Sequence, residues 1–273
     1  MGSSSALTKL KETILAEVMS TLDEGVDDPG ILKMIFFAGG PGSGKSFAAS
    51  EIFGLQPLKG EKDLRTSFSS TGLKVVNSDD MFIHMLKKHG ISPKDFADIS
   101  KNDIALAIKI GLQGNSDDSI RSKAKAVVAR MRAMFMRGRL GMIIDGTGHL
   151  FTKIAKQRKI AEAMGYDTYM VFVNTSLEVA LARNAKRDRT VPEEIVRKSW
   201  KDVQSNLGKF QSLFGAKNII IVDNNVYGPI PAHISKAASK FISRPISNKI
   251  GKDWVTKQRL LKKAGVLAKS NKR

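Results

Sequence analysis

The 273-residue sequence contains no cysteine, which excludes disulfide staples, thiolate catalysis and any zinc site built on cysteine. Histidine is scarce too: His84, His89, His149 and His233 show no paired ligand spacing, so a bound metal is expected to be a hard ion on oxygen ligands. No stretch reaches the roughly 18 consecutive apolar residues that a membrane span requires, so no membrane partner is expected. The polar start, Met1-Gly-Ser-Ser-Ser, has no hydrophobic signal core, and a cytoplasmic location is the expectation. Acid is the other shortage. Only 26 acidic residues face 45 basic ones, a formal net charge of +19. Such an excess raises the potential over the whole surface and attracts phosphate-bearing partners, so nucleic acid or another polyanion is the expected partner.

What is present alternates between strand and helix. Residues 8–22 carry Leu10, Ile14, Leu15, Val18 and Leu22 at helical spacing, an amphipathic helix within an N-terminal segment 1–30. Residues 31–38, Ile-Leu-Lys-Met-Ile-Phe-Phe-Ala, are apolar enough for a strand buried on both faces, as a central parallel strand is. Further strands are expected at 73–77, 142–145, 168–173 and 219–222, separated by helical pattern. That order is the signature of an α/β fold with a central parallel sheet and helices on both faces.

Between the first strand and the helix that follows lies Gly39-Gly40-Pro41-Gly42-Ser43-Gly44-Lys45-Ser46, which fits G-x-x-x-x-G-K-[ST]. Glycines let successive N–H groups turn inward on phosphate oxygens, and the helix N-terminus adds a positive dipole end. Lys45 is the candidate for the β- and γ-phosphates of ATP and Ser46 for a Mg²⁺ ligand. The fold class is therefore a P-loop NTPase three-layer α/β sandwich. After the second strand comes Asn77-Ser78-Asp79-Asp80, two carboxylates at a strand's carboxyl end, one expected to position an acceptor hydroxyl and the other to cap the next helix. Asp145, at the end of the third strand, is a candidate to hold a Mg²⁺ water or the acceptor. A haloacid-dehalogenase-type phosphatase is excluded, because Ile143 stands where D-x-D-G-T needs its first aspartate. Residues 183–192 put Arg183, Arg187 and Arg189 before Pro192, a basic lid from which an arginine could reach transferring phosphoryl charge.

Taken in order, these segments resemble P-loop kinases that phosphorylate hydroxyl groups: the kinase domain of phage-type polynucleotide 5′-hydroxyl kinases and the related zeta-toxin kinases. The resemblance spans about residues 31–225 and rests on the GxPGSGKS loop, N-x-D-D after the second strand, and RNAKR followed by Val191-Pro192. It implies Asp79 as the acceptor-binding base and Arg187 as the lid arginine, with Asp80 the base in the zeta-type alignment. Two positions depart from the polynucleotide-kinase pattern: Phe82 replaces an arginine near the acceptor, and Asp145-Gly-Thr is closer to the E-G-T segment of zeta toxins. The resemblance implies an ATP- and Mg²⁺-dependent kinase acting on a nucleic-acid 5′-hydroxyl. The alternatives are a zeta-toxin-like small-molecule or nucleotide-sugar kinase, and a basic nucleotide-binding assembly protein.

Two regions fall outside that core. A helical insertion at about 82–139 mixes Arg121, Lys123, Lys125, Arg130, Arg132, Arg137 and Arg139 with methionines and Phe135, the apolar stripe reading as core and the charges as an outer face able to guide a phosphate backbone. The extension 226–273 is basic, with twelve basic residues against the single acid Asp253 from His233 onward.

Overall fold

The computed structural model describes residues 26–263 apart from 29, 56, 59–60, 66–68, 70, 93–94, 115 and 187–189. The helix expected over 8–22 lies outside the described residues. Five strands form one all-parallel sheet: β1 (Lys33–Ala38), β4 (Lys74–Val76), β5 (Met142–Asp145), β6 (Asp167–Asn174) and β7 (Ile219–Asp223), in the order β4-β5-β1-β6-β7. This is the expected sheet, with ends moved by a residue or two. The segment 54–71 contains a short antiparallel pair, β2 (Pro57–Leu58) and β3 (Glu61–Arg65), which the polar sequence did not announce.

Because side chains alternate across a strand, β1 feeds two cores at once. Met34 and Phe36 join Met142, Ile144, Met170 and Phe172 on one face, and Ile35 and Phe37 join Ile143, Tyr169, Val171 and Val173 on the other. The first face is covered by α5 (Ile120–Arg137), α6 (Phe151–Ala163), α8 (Glu193–Phe214) and α10 (Lys249–Lys263), the second by α1 (Lys45–Phe53) and α9 (Ala232–Ser243). That is the three-layer P-loop NTPase-like sandwich. α7 (Leu177–Ala185) joins β6 to α8, while α2 (Ser78–Lys88), α3 (Phe96–Asn102), α4 (Ile104–Ile110) and the start of α5 bury a third cluster around Phe82, Leu86 and Ile110. Among the described residues no helix is long and apolar enough to cross a membrane.

The basic extension begins inside the core. Ile234, Ala238 and Phe241 of α9 pack under the sheet, and Gly251 of α10 lies so close to Gly165 that a Cβ there would stand 2.3 Å from the Gly165 carbonyl oxygen. Arg259 and Lys262 reach back to Asp27 at 3.1 and 3.0 Å.

A buried ion pair anchors the amino-terminal ends of β1 and β6. Lys33 is 1% exposed and donates to Asp167 at 3.0 Å. Burial pushes the Asp167 carboxyl up, but hydrogen bonds from the Ser247 N–H and hydroxyl, together with the Lys33 ammonium, outweigh it and hold the pKa below its ordinary 3.8. A depressed folded-state pKa stabilises the fold above the unfolded value and loses that contribution as pH falls through the folded value. Urea unfolding of the wild type should therefore weaken as pH drops below about 4. Asp167→Asn should be less stable at pH 7 by roughly 3–5 kcal/mol, because it strands the Lys33 charge, and should show less of the acid-dependent loss.

Candidate active site

The turn from β1 into α1 is shaped by glycines that nothing larger could replace. Gly42 and Gly44 adopt left-handed φ angles of +76° and +80°. A Cβ at Gly42 would sit 2.1 Å from the Ala180 carbonyl oxygen of α7, and one at Gly44 would sit 2.2 Å from the Asn224 side-chain nitrogen. Gly39 donates its N–H to the Thr147 carbonyl at 2.9 Å, tying the loop to the segment after β5. Gly44 is the N-cap of α1 and, having no side chain, offers no cap to the N–H groups of the first turn. The buried Ser43 hydroxyl has no hydrogen-bond partner among the described residues. A glycine-walled cradle, a helix start without a side-chain cap from Gly44 and an orphaned hydroxyl fit a phosphate chain, with Lys45 and Ser46 the first residues of the helix.

Amides at strand ends brace this cradle. Asn224, directly after β7, is buried and donates to the Ser43 carbonyl at 2.8 Å, while its own carbonyl accepts from Arg183 Nη1 at 2.7 Å. Arg183 therefore stands beside the start of α1. From α8, Trp200 donates to the Thr175 carbonyl at 2.8 Å, Gln204 to Asn174 at 2.8 Å, and Asn206 to the Gly148 and His149 carbonyls at 3.1 and 2.9 Å. That helix thus crosses the carboxyl ends of the strands. Asn184 exchanges two hydrogen bonds with Val191, at 2.7 and 3.1 Å, and clamps both ends of the lid. Arg187 and Arg189 lie between those ends, outside the described residues. Past Asn224, Tyr227 is exposed and stacks on Phe47 of α1, ring centroids 6.4 Å apart.

On the other side of the cradle, Asp145 pairs in register with Phe37 of β1, one strand from the loop. Its Oδ2 accepts from Asn77 Nδ2 at 3.0 Å, so the ends of β4 and β5 are joined beside the cradle. Asn77 is also the N-cap of α2, accepting the Asp79 N–H at 2.8 Å; the capping role expected of one carboxylate falls to this amide. Asp79 and Asp80 occupy the first turn of α2, where carboxylates complement the helix dipole, with Asp79 exposed and Asp80 half-buried. Phe82 does not face an acceptor. It is 1% exposed in the core of the insertion, with the Arg121 guanidinium 4.5 Å from its ring centroid.

Residues 34–210 match the AAA domain family. The chain belongs to that family. Among solved structures, this AAA-domain chain is similar to one from the PezAT chromosomal toxin–antitoxin system of Streptococcus pneumoniae, at 12% identity over 92% of this chain and 94% of that one, TM-score 0.48. It is also similar to AvrRxo1-ORF1:AvrRxo1-ORF2 with sulphate ions, at 14% identity over 82% of this chain and 65% of that one, TM-score 0.47. A gluconokinase from Sinorhizobium meliloti is a third, at 15% identity over 80% of this chain and 95% of that one, TM-score 0.37. No curated protein matches the chain.

Asn224 offers a direct test of the braced cradle. Asn224→Ala leaves the Ser43 carbonyl without its donor, and urea unfolding should show a loss of about 1–3 kcal/mol. Amide hydrogen exchange should quicken first across residues 39–46, ahead of the sheet.

Proposed function

We propose that this AAA-domain protein is an ATP- and Mg²⁺-dependent phosphotransferase that moves the γ-phosphate onto a hydroxyl group, with a nucleic-acid 5′-hydroxyl as the leading acceptor. The observation that carries it is the uncapped N-terminus of α1 behind the glycine cradle, with Asp145 on the adjacent strand. Backbone N–H groups of residues 42 and 44–46, together with the Lys45 ammonium, hold the β- and γ-phosphates, the Ser43 N–H being used by the Gly40 carbonyl. Ser46 and Asp145 would organise Mg²⁺, which when bound neutralises charge on the phosphate oxygens. Asp79 or Asp80 accepts a hydrogen bond from the acceptor hydroxyl, aligns its lone pair with the γ-phosphorus and takes its proton as the phosphoryl group transfers to that oxygen, leaving ADP. Arg183 brings positive charge to the start of α1, and Arg187 and Arg189, outside the described residues, are the further lid candidates from the sequence. The exposed Tyr227 and Phe47 rings offer the nucleotide base an apolar surface.

A nucleotide sugar is the second acceptor class, favoured by one observation: the cleft beside Asp145 measures about 310 Å³ and lies between two helices, a volume suited to one small molecule.

The deciding experiment is transfer of labelled γ-phosphate from ATP to a panel of 5′-hydroxyl DNA and RNA oligonucleotides, nucleosides and nucleotide sugars. Lys45→Ala should lower the rate at least about a hundredfold. Asp79→Ala or Asp80→Ala, whichever removes the base, should lower kcat on the order of 10²–10⁴-fold. Label on the oligonucleotides supports the leading acceptor, and label on nucleotide sugars alone selects the second. Absence of label anywhere, with ATP still bound, would remove the transferase and leave a nucleotide-binding assembly role.

If nucleic acid is the partner, the surface charge predicts a second behaviour. Oligonucleotide affinity should fall steeply and linearly in log–log form as salt rises, with a slope that counts the phosphates engaged. Affinity unchanged between about 50 and 200 mM salt would remove the polyanion partner.

A further inference from the structure

The insertion's arginines and lysines do not form one uniform outer face. Arg121 lies on Phe82, Arg139 stands 5.9 Å from the Trp254 ring centroid, and Lys123 reaches Asp118 at 3.6 Å. Lys125 and Arg132 line a different place. Seven residues apart on α5, they share one face across Val128 and Ala129, and that face forms a wall of the 310 Å³ cleft. Lys153, in the first turns of α6, lines the same cleft.

The inner end of the cleft belongs to the catalytic edge of the sheet. Its lining includes Asp145 and Thr147, and the Thr147 carbonyl accepts the N–H of Gly39, the first residue of the phosphate loop. Asp145 is the single carboxylate in that lining, and its Oδ2 is engaged by Asn77. None of Lys125, Arg132 and Lys153 makes a salt bridge among the described residues. Arg132 is half-buried, and burial works against its charged form, yet a guanidinium stays charged in proteins. A desolvated cation without a carboxylate is costly until an anion arrives. Burial is the main cause that lowers the His149 pKa from its ordinary 6.5; Asp202 opposes it and Lys153, the smallest influence, adds to it, so the imidazole is disfavoured as a further cation in the cleft.

We propose that the cleft between α5 and α6 is the acceptor subsite and that Lys125, Arg132 and Lys153 bind a phosphate group carried by the acceptor, with the reacting hydroxyl turned inward past Ser78 towards the Asp79–Asp80 turn of α2 and the phosphate loop. This rests on the phosphotransferase reading above and narrows it: the acceptor bears a phosphate close to its hydroxyl. The phosphate of a nucleic-acid backbone and the diphosphate of a nucleotide sugar share that chemistry. A neutral polyol or a bare nucleoside lacks it.

The test separates binding from transfer. Isothermal titration of the full chain uses three probes: a dinucleotide with a free 5′-hydroxyl, a nucleoside-diphosphate sugar and a nucleoside without phosphate. The wild type should bind one or both of the first two, and the nucleoside on the order of tenfold or more weaker. Arg132→Met, which keeps the apolar stem, and Lys125→Glu, at an exposed position, should each weaken the phosphate-bearing probe by a similar factor and leave the nucleoside unchanged. Lys45→Ala should bind it as the wild type does while transferring no label. Which probe responds tells backbone phosphate from diphosphate. Equal affinity for nucleoside and phosphate-bearing probes, or unchanged affinity in both cleft variants with circular dichroism like the wild type, would overturn the subsite even if transfer proceeds. Phosphate-dependent binding lost in the cleft variants, with no transfer by the wild type, would uphold the subsite and remove the transferase.

Discussion

A backbone that must approach phosphate closely cannot also carry side chains, and the loop between β1 and α1 is built around that constraint. Its glycines are hemmed in by protein as much as by any ligand: the Ala180 carbonyl lies against Gly42 and the Asn224 amide against Gly44. The left-handed turns are therefore set by packing before a nucleotide arrives, a form of preorganisation that leaves less ordering cost to binding. The same contacts couple the loop to α7 and β7. Arg183 extends that coupling, since the carbonyl it holds belongs to the residue that braces Ser43.

The parallel sheet supplies the rest of the arrangement. All five strands end on one edge, so each following loop opens beside the cradle, as ligand sites of open α/β sheets do. Polar amides hold those ends in register: Asn77 on Asp145, Gln204 on Asn174, Asn206 on the carbonyls at 148 and 149. At the opposite edge the fold uses a buried charge pair instead, Lys33 with Asp167, and fastens the segment before α10 to it through Ser247 and Asn248. One edge is left polar and accessible. The other is tied together by charge.

How much of this was legible depends on how local the signal is. β1 was legible because the apolar residues 34–38 follow one another without a break, and the phosphate loop because its glycine spacing is contiguous. The hairpin β2–β3 was not, since its residues neither alternate nor cluster apolar side chains. Asn224 was invisible for another reason: its partner Ser43 is 181 residues away, and a lone asparagine after a strand carries no sign of it. The Asp79–Asp80 pair was seen, but the cap was given to a carboxylate when the neighbouring Asn77 has both the right position and a donor left over for Asp145. Phe82 was legible as a departure from the polynucleotide-kinase pattern, but its place in the core of the insertion was not, because that cluster draws on four separate helices.

Net charge hides a division of labour that only contacts reveal. Several cations are spent on structure: Arg158 pairs with Glu162 at 2.6 Å and lies over Phe214, Arg121 covers Phe82, and Arg259 with Lys262 fixes Asp27. Such residues lie against apolar or acidic neighbours, and removing one would be felt mainly as lost packing. Lys125, Arg132 and Lys153 differ in having a concave space in front of them and no salt bridge among the described residues. A charge of +19 spread evenly would draw any polyanion to any face. Three cations lining one cleft, whose Thr147 holds the first glycine of the phosphate loop, would instead give one phosphate a defined distance from the reacting edge, and distance is what a phosphoryl-transfer site has to control.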